Sequence, residues 1–163
     1  MARDFIDQLQ TDWRQERPDL DAGAMGVVLR IQALAKILGE QVEQRLQKFG
    51  LQWWQYDALA ALRRQGAPFV MAATELATAN MLTSGAMTNR IDRLENDGLV
   101  RRLKDPQDRR RVLVQLTNKG VDVIEKATEA RFDVATAALG DLSSEQMKTL
   151  SDLLRSLLAQ QRS

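Results

Sequence analysis

Apolar residues recur at three- and four-residue steps along most of the chain, and the period shortens to two in one stretch only. Phe5, Ile6, Leu9 and Trp13 fall on one side of a short amphipathic helix over residues 3–16. Pro18 favours an extended residue before it and ends that segment. Val28, Ile31, Ala35, Leu38, Val42 and Leu46 then mark a long helix from about residue 23 to 49, closed by Gly50. Trp54, Ala58, Leu59 and Leu62 define a further helix over 52–65, which Gly66 and Pro68 stop.

Residues 72–79 read as a short helix, followed by a tight Asn80-Met81-Leu82 connection. Thr83 is the expected N-cap of a helix over 84–97, whose apolar stripe is Met87, Ile91 and Leu94 and whose stop is Gly98. Residues 99–103 and 111–116 are strand-like runs flanking a polar Asp105-Pro106 turn, hence a β-hairpin. Thr117 opens a long helix to about Leu139, and the Ser143/Gln146 pair is a capping box for the last one, to about Gln160. Trp53 and Trp54 are adjacent, so they cannot both face a core, and one of them should line an interface or a pocket.

Composition changes this picture mainly by exclusion. A chain of 163 residues with 44% hydrophobic and 28% charged residues suits one ordinary globular domain with helical extensions. There is no cysteine and no histidine, which removes disulfides, thiol redox sensing, zinc fingers and Cys/His catalysis. No clustered carboxylates suggest a metal site, and no cofactor motif, P-loop or nucleophile–base pair is present, so neither a cofactor nor an enzyme is expected. No apolar run approaches the ~18 residues that cross a bilayer. The N-terminus lacks the features of a secretory signal, so no membrane association and a cytoplasmic location are expected. Net charge is +1, yet six basic residues against two acidic ones crowd Arg101–Arg111.

Helix, tight turn, helix and basic hairpin, in that order, are the parts of a DNA reader with a wing. The second helix fits the major groove while the shorter one before it braces against the backbone. Thr83, Ser84, Gly85, Thr88, Asn89 and Arg93 are the candidate DNA-facing residues of that helix. Its small residues let the backbone approach phosphate, Thr88 and Asn89 suit base edges, and Arg93 suits a phosphate. An arginine at the hairpin tip matches the negative potential of the adjacent minor groove.

The run from Leu82 to Arg102, followed by Asp105-Pro-Gln-Asp-Arg-Arg-Arg-Val-Leu-Val-Gln-Leu-Thr117, resembles the MarR family of transcriptional regulators. The resemblance covers about residues 20–160. It implies a mainly α fold with a small β-hairpin wing, a winged helix-turn-helix with N- and C-terminal helices forming a dimerisation region. On this division residues 1–20 are an extension helix, 21–50 and 118–161 the dimerisation helices, and 51–117 the winged lobe. It further implies a homodimer on a double-stranded palindromic operator, usually a repressor released by a small phenolic or anionic effector. By motif position the helix over 84–97 is the recognition helix, and Asp105 with Arg109 or Arg110 forms the wing tip. One departure shows: the family commonly caps the helix near Ala72 with Ser or Thr, and Val70-Met71-Ala72-Ala73 offers neither.

A narrower resemblance is to the urate-responsive branch of that family, the HucR and PecS type. It rests on Trp13-x-x-Glu16-Arg17-Pro18-Asp19-Leu20, Gln55-Tyr56-Asp57 and Thr88-Asn89-Arg90. The branch's ligand residues then fall on Trp13, Asp57, Arg90 and Arg102. An indole can stack on a planar purine and a guanidinium can pair with its anion. A plainer reading also stands, in which Trp13 packs an amphipathic helix and Asp57 and Arg90 form a simple salt bridge. A winged-helix module for protein interaction or DNA architecture, without ligand response, is the alternative function. It would show no preference for a palindrome over random duplex.

Overall fold

A computed structural model describes residues 3–108 and 110–161. Seven helices and three strands follow one another among them: α1 (Phe5–Glu16), α2 (Ala22–Gln47), α3 (Trp53–Arg63), β1 (Val70–Ala72), α4 (Ala73–Ala79), α5 (Ser84–Asn96), β2 (Val100–Lys104), β3 (Val112–Leu116), α6 (Asn118–Leu139) and α7 (Ser144–Gln160). The chain divides into two compact units, residues 1–44 and 45–163.

In the first unit α1 is fastened along the start of α2. Asp4 caps α1, accepting from the Ile6 and Asp7 N–H groups at 2.9 and 3.1 Å. Arg30 of α2 reaches back to Asp4 and Asp7, each at 2.8 Å. The buried Gln10 amide donates to Ala22 O at 2.7 Å, directly over Gly26, where an added Cβ would lie 2.1 Å from that nitrogen. Only Gly permits so close a crossing. The stripe expected on α1 is corrected: Ile6 is buried, but Phe5 and Trp13 are exposed, because polar anchors rather than an aromatic face hold this helix.

A second correction concerns α2. Arg30 and Lys36 interrupt its apolar run in the sequence, yet the helix is long and apolar enough, by length and mean hydropathy, to cross a membrane. Little of it is covered within the chain: Val27, Val28, Ile31, Leu34 and Ile37 are all exposed.

In the second unit the buried stripe of α5, Met87, Ile91 and Leu94, joins Leu59, Leu62, Leu76, Val114 and Ile124 in one core. The sheet is antiparallel with order β1-β3-β2, pairing Met71 with Val114 and Arg102 with the same Val114 across the other edge. A hairpin alone was expected; β1 completes a third strand, and three residues are too few to show an alternation. Ala72, with no capping side chain, precedes α4, and Glu75 reaches back instead to accept from the Ala72 N–H at 3.4 Å.

Thr117 caps α6 as expected and also donates to Gly98 O at 2.8 Å, tying α6 to the end of α5's stop. Gly120 lies so close to β2's approach that a Cβ there would sit 2.0 Å from Leu99 O. The capping box of α7 forms between Ser143 and Gln146. No residue of α7 is buried, and Met147, Leu150, Leu153, Leu154, Leu157 and Leu158 give it an uncovered apolar side.

Candidate nucleic-acid interface and ligand residues

Helix α5 begins where its sequence says it should. The Thr83 hydroxyl accepts from the Ala86 N–H at 3.3 Å, with Thr83 itself extended. Burial of Met87, Ile91 and Leu94 turns the opposite side outward, and Ser84, Gly85, Thr88, Asn89 and Arg93 are all exposed there. A Cβ on Gly85 would meet nothing within 4 Å, so the chain itself does not demand a small residue at that point. Thr88 is partly occupied: its hydroxyl donates to Ser84 O at 2.9 Å, leaving lone pairs and a methyl group to face outward.

The hairpin tip is built by its acids. Asp105 Oδ1 accepts from the Gln107 N–H at 2.8 Å, and Asp108 Oδ1 accepts from the Arg110 N–H at 2.9 Å. The Asp105 side chain is only 11% exposed, with Arg111 3.9 Å away. Asp105 therefore shapes the turn of the wing. Arg110 is exposed at the tip; Arg109 lies outside the described residues. Arg111, itself exposed, forms a salt bridge with Glu75 of α4, so the wing base and α4 are linked.

Between wing and helices lies a cleft of about 330 Å³, lined by Ala73, Thr74, Ser84, Thr88, Asp108, Arg110, Arg111 and Val112. Ser84, Thr88 and Arg110 thus meet around one concavity. Sequence reasoning had no place in it for Thr74 or Arg111. The local excess of arginines was the available signal for Arg111, but a strand-like run hides which way its side chain turns.

Of the ligand candidates in the second unit, Asp57 and Arg90 interact through space and Arg102 is paired elsewhere. Asp57 lies on α3. Partial burial pushes its carboxyl above the usual carboxylate value, against the pull of the Trp53 indole and of Arg64, Arg131 and Arg90. Arg90 acts on it through space without a direct ion pair, so the simple salt bridge is not formed. The guanidinium of Arg90 lies 5.1 Å from the Trp54 ring centroid, that of Arg93 4.9 Å from the same ring, and that of Arg131 5.8 Å from Trp53. Trp53 is exposed and Trp54 half-buried, so neither is fully in the core, and each meets an arginine.

Arg102 is elsewhere. From β2 it donates to Asp92 and Glu95 at 2.5 Å each and to Thr88 O at 3.4 Å, while its own N–H donates to Glu95 at 2.9 Å. At about 100° per residue, Asp92 and Glu95 point roughly 160° and 140° away from Arg90 around α5. Arg102 is therefore on the opposite flank of the helix from Arg90, paired in this structure with Asp92 and Glu95. Trp13, on α1 of the first unit, is 44% exposed.

A family model described as MarR family matches residues 51–112. The chain is 32% identical over 149 residues to the HTH-type transcriptional regulator PecS of Dickeya dadantii (strain 3937), covering 91% of this chain and 90% of PecS. Among solved structures it is similar to Sco3205, a MarR family transcriptional regulator from Streptomyces coelicolor solved in complex with DNA. That match has TM-score 0.75 and 27% identity, over 85% of this chain and 88% of Sco3205. It is also similar to AbsC, another MarR family regulator from Streptomyces coelicolor, with TM-score 0.71 and 26% identity over 99% of both chains.

Proposed function

Since the chain belongs to the MarR family of DNA-binding transcriptional regulators, we propose that it represses from a palindromic operator as a homodimer. In this reading α5 enters the major groove and Ser84, Thr88, Asn89 and Arg93 meet bases and phosphates. Arg110, with Arg109 beside it in sequence, grips the neighbouring backbone or minor groove. The observation that carries the reading is the cleft of about 330 Å³ in which α5's first turn and the wing's Arg110 converge. The uncovered apolar residues of α2 and of α7 support a second copy as partner. Two copies related by a two-fold axis present two recognition helices, which suits a palindrome.

We further propose a small anionic or aromatic effector, urate or a related compound, that releases the operator. Trp13, Asp57, Arg90 and Arg102 are the residues offered for it, and Arg102 would have to leave Asp92 and Glu95 to meet it. What supports this is the cationic, indole-lined surroundings of Asp57 and the 32% identity to PecS. Because Arg90 belongs to α5, an anion drawing on its guanidinium would bear directly on the reading helix.

Duplex from the protein's own upstream region, titrated against random duplex over a range of salt, tests the first part. Preference for the palindrome is expected, with the log–log salt slope falling by about 0.9 per phosphate contact when Arg110 becomes Ala. Equal binding to random duplex would favour the architectural alternative. Urate titration followed by tryptophan fluorescence and operator release tests the second part. Release by urate that Asp57→Ala or Arg90→Ala weakens is the expected result, and neither quenching nor release at millimolar urate removes it.

A further inference from the structure

We propose that Trp54 is a positioning residue of the DNA interface, a shared aromatic shelf that holds Arg93 of α5 toward phosphate without neutralising it. The proposal rests on the reading that α5 faces DNA. Arg90 and Arg93 are three residues apart, about 60° around the helix, and both guanidiniums lie over the Trp54 ring, at 5.1 and 4.9 Å. Neither forms a salt bridge among the described residues. The shelf is itself fixed: the Trp54 Nε1–H donates to Gln52 Oε1, at the residue that opens α3.

The chemistry of the holder decides what the held group can still do. A carboxylate that fixes a guanidinium also cancels its charge and occupies its N–H donors. An indole face attracts the cation through its quadrupole and leaves the N–H edge free. Arg93 is exposed on the side of α5 that carries Asn89, so the edge left free is the one a phosphate would meet. Ordering the side chain beforehand reduces the entropy lost when the contact forms. Trp54 thus contributes to DNA affinity without touching DNA.

The test compares wild type with Trp54→Leu, Trp54→Phe, Gln52→Ala and Arg93→Gln on the upstream-region duplex over a range of salt, beside thermal unfolding of each. Trp54→Leu should bind about tenfold more weakly, with the salt slope reduced toward that of Arg93→Gln. Trp54→Phe, which keeps a π face, should recover most of both losses. Arg93→Gln added to Trp54→Leu should cost little more. Gln52→Ala, at an exposed residue that leaves the core intact, should lower affinity in the same direction by a smaller factor. Should Trp54→Leu unfold, Gln52→Ala and Trp54→Phe still decide the matter. Unchanged slope and affinity in Gln52→Ala and Trp54→Leu, or fully additive losses with Arg93→Gln, overturn the shelf. Asn89→Ala separates the two readings: if it weakens binding while the Trp54 variants do not, only the shelf fails, and if it too is silent, α5 is not the DNA-facing helix.

Discussion

On the flank of α5 that faces the sheet, Arg102 reaches in from β2 to Asp92, Glu95 and the Thr88 carbonyl. On the flank that faces α3, Arg90 and Arg93 reach out from α5 itself to the face of Trp54. Both arrangements restrain the same helix with arginine. Their stabilising effects are of similar size, since a part-exposed ion pair contributes about 0–1 kcal/mol and an exposed cation–π contact about 0.5–1 kcal/mol. They differ in what is left over. On the carboxylate flank one guanidinium meets two carboxylates, so that flank holds the helix in place and offers an anion no spare cation; the indole flank stays cationic, so it remains available to an anion. A helix that reads DNA, as proposed for α5, needs both properties, and this chain assigns them to opposite sides.

The most damaging way to break the comparison is from below the carboxylate flank. Arg102 can reach Asp92 and Glu95 only because β2 starts where Leu99 places it, and Leu99 O lies where Gly120 leaves room. In Gly120→Ala a Cβ would fall 2.0 Å from that backbone oxygen, and neither partner can turn away. A loss of about 3 kcal/mol, at the upper end for overpacking, is expected as a large drop in the thermal midpoint. A midpoint unchanged within a degree or two would mean that the α6–β2 seam does not position the clamp.

Smaller effects sharpen the contrast rather than abolish it. Arg93→Gln should leave stability within about 0.5 kcal/mol yet weaken operator binding about tenfold and flatten its salt dependence. Arg102→Ala should do the reverse. Removing it leaves Asp92 and Glu95, both part-exposed, without their partner, which lowers stability by about 1 kcal/mol. Any fall in affinity should come with an unchanged salt slope, because a paired guanidinium neutralises no phosphate. If the slope in Arg102→Ala drops as far as in Arg93→Gln, the two flanks do not divide the work as described.

How far this was legible in the sequence depends on the range of each interaction. Thr83, Thr117 and Ser143 were readable as caps because a cap bonds within three residues of itself, and each does so here. The helix–turn–helix–hairpin order and the buried stripe Met87, Ile91, Leu94 were readable because they repeat with a fixed period. Asp105 was placed correctly in a turn, but its carboxylate folds back on Gln107 and Arg111, a direction that residue type alone does not specify. The ion pairs of Arg102 were hidden for a longer-range reason. Its partners follow from the β2–β3 register that pairs it with Val114 and from the packing of that sheet on α5. The Trp54 shelf was hidden likewise, since two residues of α5 meet one of α3 only once the helices are packed. Adjacent tryptophans announced that something would lie against them, not what.

The subtlest consequence of the contrast is in the response of stability to pH. The Arg102 backbone N–H, with its guanidinium, holds Glu95 below the usual carboxyl value of 4.5 despite some burial. A depressed folded-state pKa means stability present above the unfolded value and lost as pH falls through the folded one. Asp57 runs the other way. Partial burial raises it above 3.8, so the folded state keeps its proton longer, and ionising it as pH rises through the folded pKa disfavours the fold. Glu95→Gln should therefore be less stable than wild type at neutral pH, with the deficit vanishing as pH falls through the lowered folded-state pKa of Glu95. Asp57→Asn should be slightly more stable at neutral pH, with the advantage vanishing over the same acid range. Both groups are solvent-accessible enough that the differences should be tenths of a kcal/mol, within reach of chemical denaturation at closely spaced pH values. Two difference curves of the same sign would show that burial at Asp57 does not outweigh the pull of the arginines around it.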